Sequence, residues 1–295
     1  MKHRIIIIVL LSMAAIYVKA QNNENIFSTD MGNGKLYLLS EGQRNMSVDI
    51  LIGAKPEIIE KYAPDNTCPS ATNVFLWQID SKNILFDAGF GRGLSDNLQF
   101  LKLKPEDIDA IFITHMHGDH IGGLLLNEKA AFPNAKLYIS KKEYDYWTDN
   151  EKINQIPENQ RGGFLFAKKV TEAYKDRLNL FEPNTDPYDE KTVYQGIKAF
   201  ATYGHTPGHT VYLLESNDDM LLIWGDLTHA MAVQMPHPEL GVTYDTDPDQ
   251  AIQSRALALQ IVSTYSIPVA GMHIAYPGIG IVVKSDPGYR FVPLK

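Results

Sequence analysis

Thr114-His115-Met116-His117-Gly118-Asp119-His120 places three imidazoles and one carboxylate within the six positions from His115 to His120. Histidine is the commonest metal ligand, and aspartate adds a hard anionic oxygen. An open catalytic site ordinarily uses three protein ligands and a water, so four such groups on one loop exceed the needs of a single cation. The spacing predicts a loop that feeds two neighbouring cations, with His115 and His117 aimed at one, and Asp119 and His120 at the other. A solvated polar loop with chance histidines is the competing reading, and the rest of the chain argues against it.

The apolar stretch 110–114 reads as a buried strand that ends where His115 begins, and three more apolar runs end in the same way. Ala199-Phe200-Ala201-Thr202 leads to Gly204-His205-Thr206-Pro207-Gly208-His209, Leu221-Leu222-Ile223-Trp224 leads to Gly225-Asp226, and Val269-Ala270-Gly271-Met272 leads to His273. Strand ends are rigid scaffold positions, which is where a metal site can be held to geometry. His205 occupies the strand-end position and is favoured as a ligand. His209 opens the next strand and is expected to support the ligands, although spacing leaves the two as alternatives. Asp226 is the expected bridge, because a carboxylate has two oxygens. Asp87, closing the run 84–87, is a second expected support. His229, three residues past Asp226, is expected to face the reacting group, whereas His237, between two prolines, reads as a loop residue.

The chain has 295 residues, 44% hydrophobic and 21% charged, which is ordinary globular composition. Lys2 and Arg4 precede a mostly apolar run over 5–18, followed by Val18-Lys19-Ala20. This reads as a secretory signal peptide over residues 1–20, cut after Ala20; the run is short for a bilayer span. The chain is therefore expected to be exported, periplasmic or secreted, without a membrane anchor once the leader is removed. Cys68 is the only cysteine, so neither an internal disulfide nor a cysteine-based metal site is possible. Loss of the leader removes Lys2, Arg4 and Lys19, taking the net charge from −8 to about −11. So acidic a chain points to a small-molecule substrate and away from nucleic acid or anionic lipid.

Short β-like runs alternate with amphipathic stretches from Gly34 onward, with no repeat and no low-complexity segment. Residues 73–79 and 84–87 read as a hairpin, 94–101 as a helix after the glycine-rich turn 89–93, 136–140 as a strand and 141–148 as a helix. Residues 149–163 read as an exposed loop before a helix over 164–174. Further strands are expected at 196–202, 210–215, 220–224, 268–272 and 280–283, and Asp247 is expected to cap a helix ending near Tyr265. The pattern is α/β, a layered sandwich with helices outside. The expected organisation is a leader (1–20), an N-terminal segment (21–34) and a single hydrolase-like domain (35–295).

His115-x-His117-x-Asp119-His120, followed in order by His205, Asp226 and His273, resembles the metallo-β-lactamase superfamily from about residue 35 to the end. Gly225-Asp226-Leu227, Phe132-Pro133-Asn134-Ala135, Tyr276-Pro277-Gly278-Ile279-Gly280 and Gly288-Tyr289-Arg290-Phe291-Val292-Pro293 are similar to stretches of the branch that contains methyl parathion hydrolase and related lactonases. The resemblance implies a four-layer αβ/βα sandwich, a binuclear centre at its edge and often a homodimer. It assigns His115, His117 and His205 to one metal, Asp119, His120 and His273 to the other, and Asp226 to both. Asp226 argues against β-lactamase activity, since the β-lactamases of the superfamily generally lack that bridge. Acyl-homoserine lactonases commonly carry tyrosine where this chain has His229.

Two divalent cations, zinc by default for imidazole and carboxylate ligands, would hold a hydroxide for attack on a phosphotriester, lactone or ester. Asp119 and Asp226 would orient that hydroxide, with His229 beside the developing charge. Tyr146, Trp147, Phe164 and Phe166 are the candidate apolar wall of the substrate pocket. The alternatives are an acyl-homoserine lactonase and, outside enzymes, a metal-binding module whose coordination is closed.

Overall fold

The computed structural model describes residues 25–294, and the leader expected over residues 1–20 lies outside them. Alternation of apolar side chains along the strands dictates the architecture. In the strand Thr67–Ile79, Phe75 and Trp77 face one side while Val74 and Leu76 face the other, and all four are buried. A strand buried on both faces must be covered on both, and here a second sheet covers one side and helices the other.

The first sheet runs Ile26–Met31, Gly34–Ser47, Thr67–Ile79, Lys82–Phe86, Ala110–Phe112, Lys136–Ser140, Leu178–Phe181. Its first four strands are antiparallel and its last four parallel. The second sheet runs Thr192–Tyr194, Ile197–Ala201, Thr210–Ser216, Asp219–Ile223, Val269–Ala270, Ile279–Lys284, Tyr289–Pro293. Leu36, Phe75, Trp77, Phe86 and Phe112 of the first sheet pack against Ile197, Tyr212, Leu214 and Ile223 of the second. Outside the first sheet lie the helices Leu94–Phe100, Lys141–Thr148 and Gly162–Ala173; Pro248–Tyr265 covers the second sheet. The result is the four-layer αβ/βα sandwich. No described helix is long and apolar enough to cross a membrane.

The expected hairpin forms, with Phe75 opposite Phe86 and a two-residue turn at Asp80 and Ser81, both at positive φ. Asp247 caps Pro248–Tyr265 by accepting from the Gln250 N–H. Residues 149–163 differ from expectation. Asp149 accepts from the N–H groups of Glu151 and Lys152 and caps a helix, Asn150–Gln155, whose single buried residue is Ile153. One apolar anchor leaves no periodicity to read. Ile26–Met31, from the segment ahead of residue 35, is an edge strand paired along its whole length with Gly34–Ser47. Leu178–Phe181 and Tyr289–Pro293 are further edge strands, too short to stand out as sequence signals.

Candidate metal centre

Both sheets bring their strand ends to one edge of the sandwich. Ala110–Phe112 feeds the His115 loop, Ile197–Ala201 the His205 loop, Asp219–Ile223 the Asp226 turn and Val269–Ala270 the His273 turn. The sheets are stitched together just behind this edge. The Thr210 N–H donates to the Thr114 carbonyl, and the Tyr212 hydroxyl to the Ile113 carbonyl. Gly225 turns at φ +58°, and a Cβ there would lie 2.6 Å from His209 Nε2, so only glycine lets the Asp226 turn pass.

The side chains converge in two groups that share no residue, His115, His117, His205 and Asp226 in one, and Asp119, His120 and His273 in the other, and Asp226 also falls in a third with His229 and His273; the ligand atoms of each lie within 4.8 Å of one another. His117 Nδ1 is 3.0 Å from His115 Nε2 and 3.1 Å from His205 Nε2. Donors around a tetrahedral cation with metal–nitrogen bonds of about 2.0–2.1 Å sit about 3.3 Å apart. The carboxylate of Asp226 lies between the groups. Its Oδ2 is 3.3 Å from His205 Nε2 and 3.1 Å from His273 Nε2, and its Oδ1 is 3.2 Å from His120 Nε2.

The electrostatics fit cations at this place. His120 Nε2 and Asp226 Oδ1 are buried and face each other at 3.2 Å without a well-aligned hydrogen bond to any group. Buried polar atoms are rarely left so unless another group is meant to meet them. Burial and the neighbouring His205 lower His117 to about 3. Burial would lower His205 too, but Asp226 and Asp245 outweigh it and raise it to about 9. An imidazole held protonated in this way offers its lone pair to a cation only once that proton is lost. Burial likewise opposes charge on Asp226, yet the surrounding histidines hold its carboxyl well below the ordinary range.

The ring nitrogens turned away from the cluster are held by the frame. His205 Nδ1 lies 2.9 Å from Asp245 Oδ1, His120 Nδ1 2.6 Å from Asp87 Oδ2, and His273 Nδ1 2.9 Å from the Ala71 carbonyl. Such partners fix tautomer and ring orientation. His209 stands apart: its Nε2 accepts from the Asp226 N–H, and its Nδ1 faces the hydroxyl and carbonyl of Thr202. With both nitrogens engaged, His209 orients the Asp226 turn and takes no place in either group. His229 Nε2 is 3.0 Å from Asp226 Oδ2, its Nδ1 is buried without a partner, and burial lowers it to about 4 against the pull of Asp226. His237 lies in its loop, paired with Glu239.

Trp147, Tyr146 and Phe164 form one aromatic cluster, and the Trp147 ring stands edge-on to His117 with centroids 5.6 Å apart. All three, and Phe166 with them, belong to the core between the first sheet and its helices, and Phe166 makes no ring contact with the other three. Four further residues at the site have no local sequence signal. Asp245 and Glu143 are buried acceptors, Tyr244 places its half-exposed ring 5.9 Å from His229, and Arg44 reaches Thr72 beside His273.

The family model of the metallo-beta-lactamase superfamily matches residues 69–264, about two thirds of the chain. The chain belongs to this superfamily. Among solved structures of the superfamily's fold, a hydrolase described as AbOPH is 28% identical, with a TM-score of 0.81 over 93% of this chain and 99% of that one. The dizinc quorum-quenching lactonase AidC, solved with the product N-hexanoyl-L-homoserine, is 27% identical, with a TM-score of 0.80 over 92% and 99%. The exodeoxyribonuclease WalJ of Streptococcus pneumoniae is 33% identical over 104 residues, 35% of this chain and 38% of its own length. The match thus spans under half of that relative. The binuclear His/Asp cluster and the family together mark this metallo-beta-lactamase superfamily member as an enzyme, a metal-dependent hydrolase.

Proposed function

We propose that the protein is an exported zinc-dependent hydrolase that opens small apolar lactones and cleaves activated esters, with aryl phosphotriesters as substrates of the same chemistry. The observation that carries this reading is the carboxylate of Asp226 lying between two groups of imidazole and carboxylate donors. In it His115, His117 and His205 would hold one cation and Asp119, His120 and His273 the other, with Asp226 placed to serve both. Two divalent cations, when bound, supply Lewis acidity and bring the pKa of a water towards 7. The likeness over nearly the whole chain to the hydrolase AbOPH supports hydrolysis, and the likeness to the lactonase AidC supports lactone substrates.

The chain's own groups divide the remaining work. Asp119, whose side chain is 22% exposed, stands at the mouth, while Asp226 is enclosed. Both carboxylates orient the attacking water, and Asp119, the more exposed of the two, takes up its proton. His229, neutral at pH 7, donates from Nε2 to Asp226 Oδ2 and fixes that oxygen's direction. The Trp147 edge beside His117 walls the mouth on its apolar side, with Tyr146 and Phe164 behind it. The leader over residues 1–20 supports export, and a homodimer is the assembly proposed with the family likeness.

A hydrolysis panel on the purified protein tests the reading: an aliphatic lactone, an acyl-homoserine lactone, an aryl ester, an aryl phosphotriester and a β-lactam. Turnover of lactone and ester is expected, with none of the β-lactam. Trp147→Ala is expected to raise KM for the apolar substrates several-fold with a smaller change in kcat. Activity confined to the β-lactam, or no ester or lactone turnover with zinc bound, would remove the proposal.

A further inference from the structure

We propose that Glu143 is the positioning residue that sets the first metal subsite and ties its geometry to the aromatic wall. This rests on the reading that His115, His117 and His205 hold one cation.

Glu143 is buried in the first turn of the helix Lys141–Thr148 and touches neither metal group. Four donors from three segments converge on it. Oε1 accepts from the Met116 N–H at 2.8 Å and the Trp147 indole N–H at 2.7 Å. Oε2 accepts from the Thr206 hydroxyl at 2.7 Å and the Gly208 N–H at 2.9 Å. Met116 sits between His115 and His117 on the loop leaving the first sheet. Thr206 and Gly208 follow His205 on the loop leaving the second. The two loops that must deliver their imidazoles to one cation are thus gauged by the fixed spacing of one carboxylate's oxygens. Gly208 makes the approach possible, since a Cβ there would fall 2.2 Å from Glu143 N.

Four donors fill the acceptor sites of an ionised carboxylate, and only a carboxylate offers this set. Glutamine accepts at one oxygen only and turns an NH₂ group against two donors. The second subsite does not use this strut. His120 is held by Asp87, and His273 by the Ala71 carbonyl. Trp147 shares Oε1 with the metal-bearing loop, so a shift of Glu143 moves the wall and the first subsite together.

Zinc titration against a chromophoric chelator provides the test, with His117→Asn and His273→Asn marking which binding event belongs to which subsite. Glu143→Gln is expected to weaken the first-subsite event 10–100-fold, the range for removal of a group that orients a metal ligand, and to leave the second at wild-type affinity. It is also expected to raise KM for an aryl ester, and Trp147→Phe, which removes one of the four donors to Glu143, is expected to raise KM with at most a several-fold loss of zinc affinity, confined to the first subsite. Should Glu143→Gln fail to fold, Thr206→Val removes one donor of the four and is expected to weaken the same event several-fold. Wild-type affinity at both subsites in these variants, or equal weakening of both, would overturn the proposal. A wild-type chain that binds two zinc ions but hydrolyses no ester would overturn the proposed function and leave this affinity difference standing.

Discussion

Asp226→Asn is expected to lower kcat/KM for the best substrate by about 10³-fold or more, and to leave the chain unable to hold two cations. The size follows from what the carboxylate does. Paired cations contribute several kcal/mol of transition-state stabilisation, and each ~1.4 kcal/mol is tenfold in rate. Asp226 faces His205 and His273 through Oδ2 and His120 through Oδ1, so both groups depend on it. Asparagine keeps the shape but offers one acceptor and no charge. Its NH₂ would donate to an imidazole lone pair that a cation needs, and it offers no lone pair to a cation itself. Metal analysis of the purified variant, beside its kinetics, checks both parts. A variant that retains two ions and more than a tenth of wild-type kcat/KM would show that the carboxylate is not the shared ligand.

Asp87→Ala is expected to destabilise the folded chain by about 3–5 kcal/mol, the range for removing one partner of a buried charge pair. Asp87 is enclosed and accepts from the Thr114 N–H and hydroxyl, each at 2.8 Å, and from His120 Nδ1 at 2.6 Å. Alanine would leave the Thr114 N–H and His120 Nδ1 buried without this acceptor, and the Thr114 hydroxyl with His115 Nδ1, 3.1 Å away. Asp87 also sits at φ +60°, a conformation alanine adopts less readily than aspartate. Denaturant unfolding of the metal-free protein isolates the stability effect. Metal titration of the folded variant is expected to show the second subsite weakened, because His120 has lost its orienting partner. A midpoint unchanged from wild type would mean that Asp87 does not hold the Thr114–His120 loop.

Much of this centre was legible in the sequence for one physical reason. His115, His205, Asp226 and His273 each follow an apolar run, and the fold places strand ends of both sheets at one edge. What supports those residues was largely not legible. Asp245 lies 40 residues from His205, and Glu143 27 from Met116; both look like ordinary acidic residues of a turn and a helix start. Their partners are set by the packing of one sheet on the other, which no local pattern encodes. Asp87 was an exception because it ends a strand as the ligands do. Periodicity also failed at the edges: Ile26–Met31, Leu178–Phe181 and Tyr289–Pro293 are short and half-solvated, and the helix Asn150–Gln155 is anchored by Ile153 alone. The choice between His205 and His209 needed coordinates, because only they show both nitrogens of His209 engaged.

Metal content measured against turnover tests the central claim most directly. The purified protein is stripped with a chelator and reloaded with zinc in steps, with elemental analysis and lactone hydrolysis read at each step. Turnover is expected at background in the stripped chain, with recovery that completes as the second ion per chain is bound. Full turnover by a chain that elemental analysis finds free of metal would contradict the central claim.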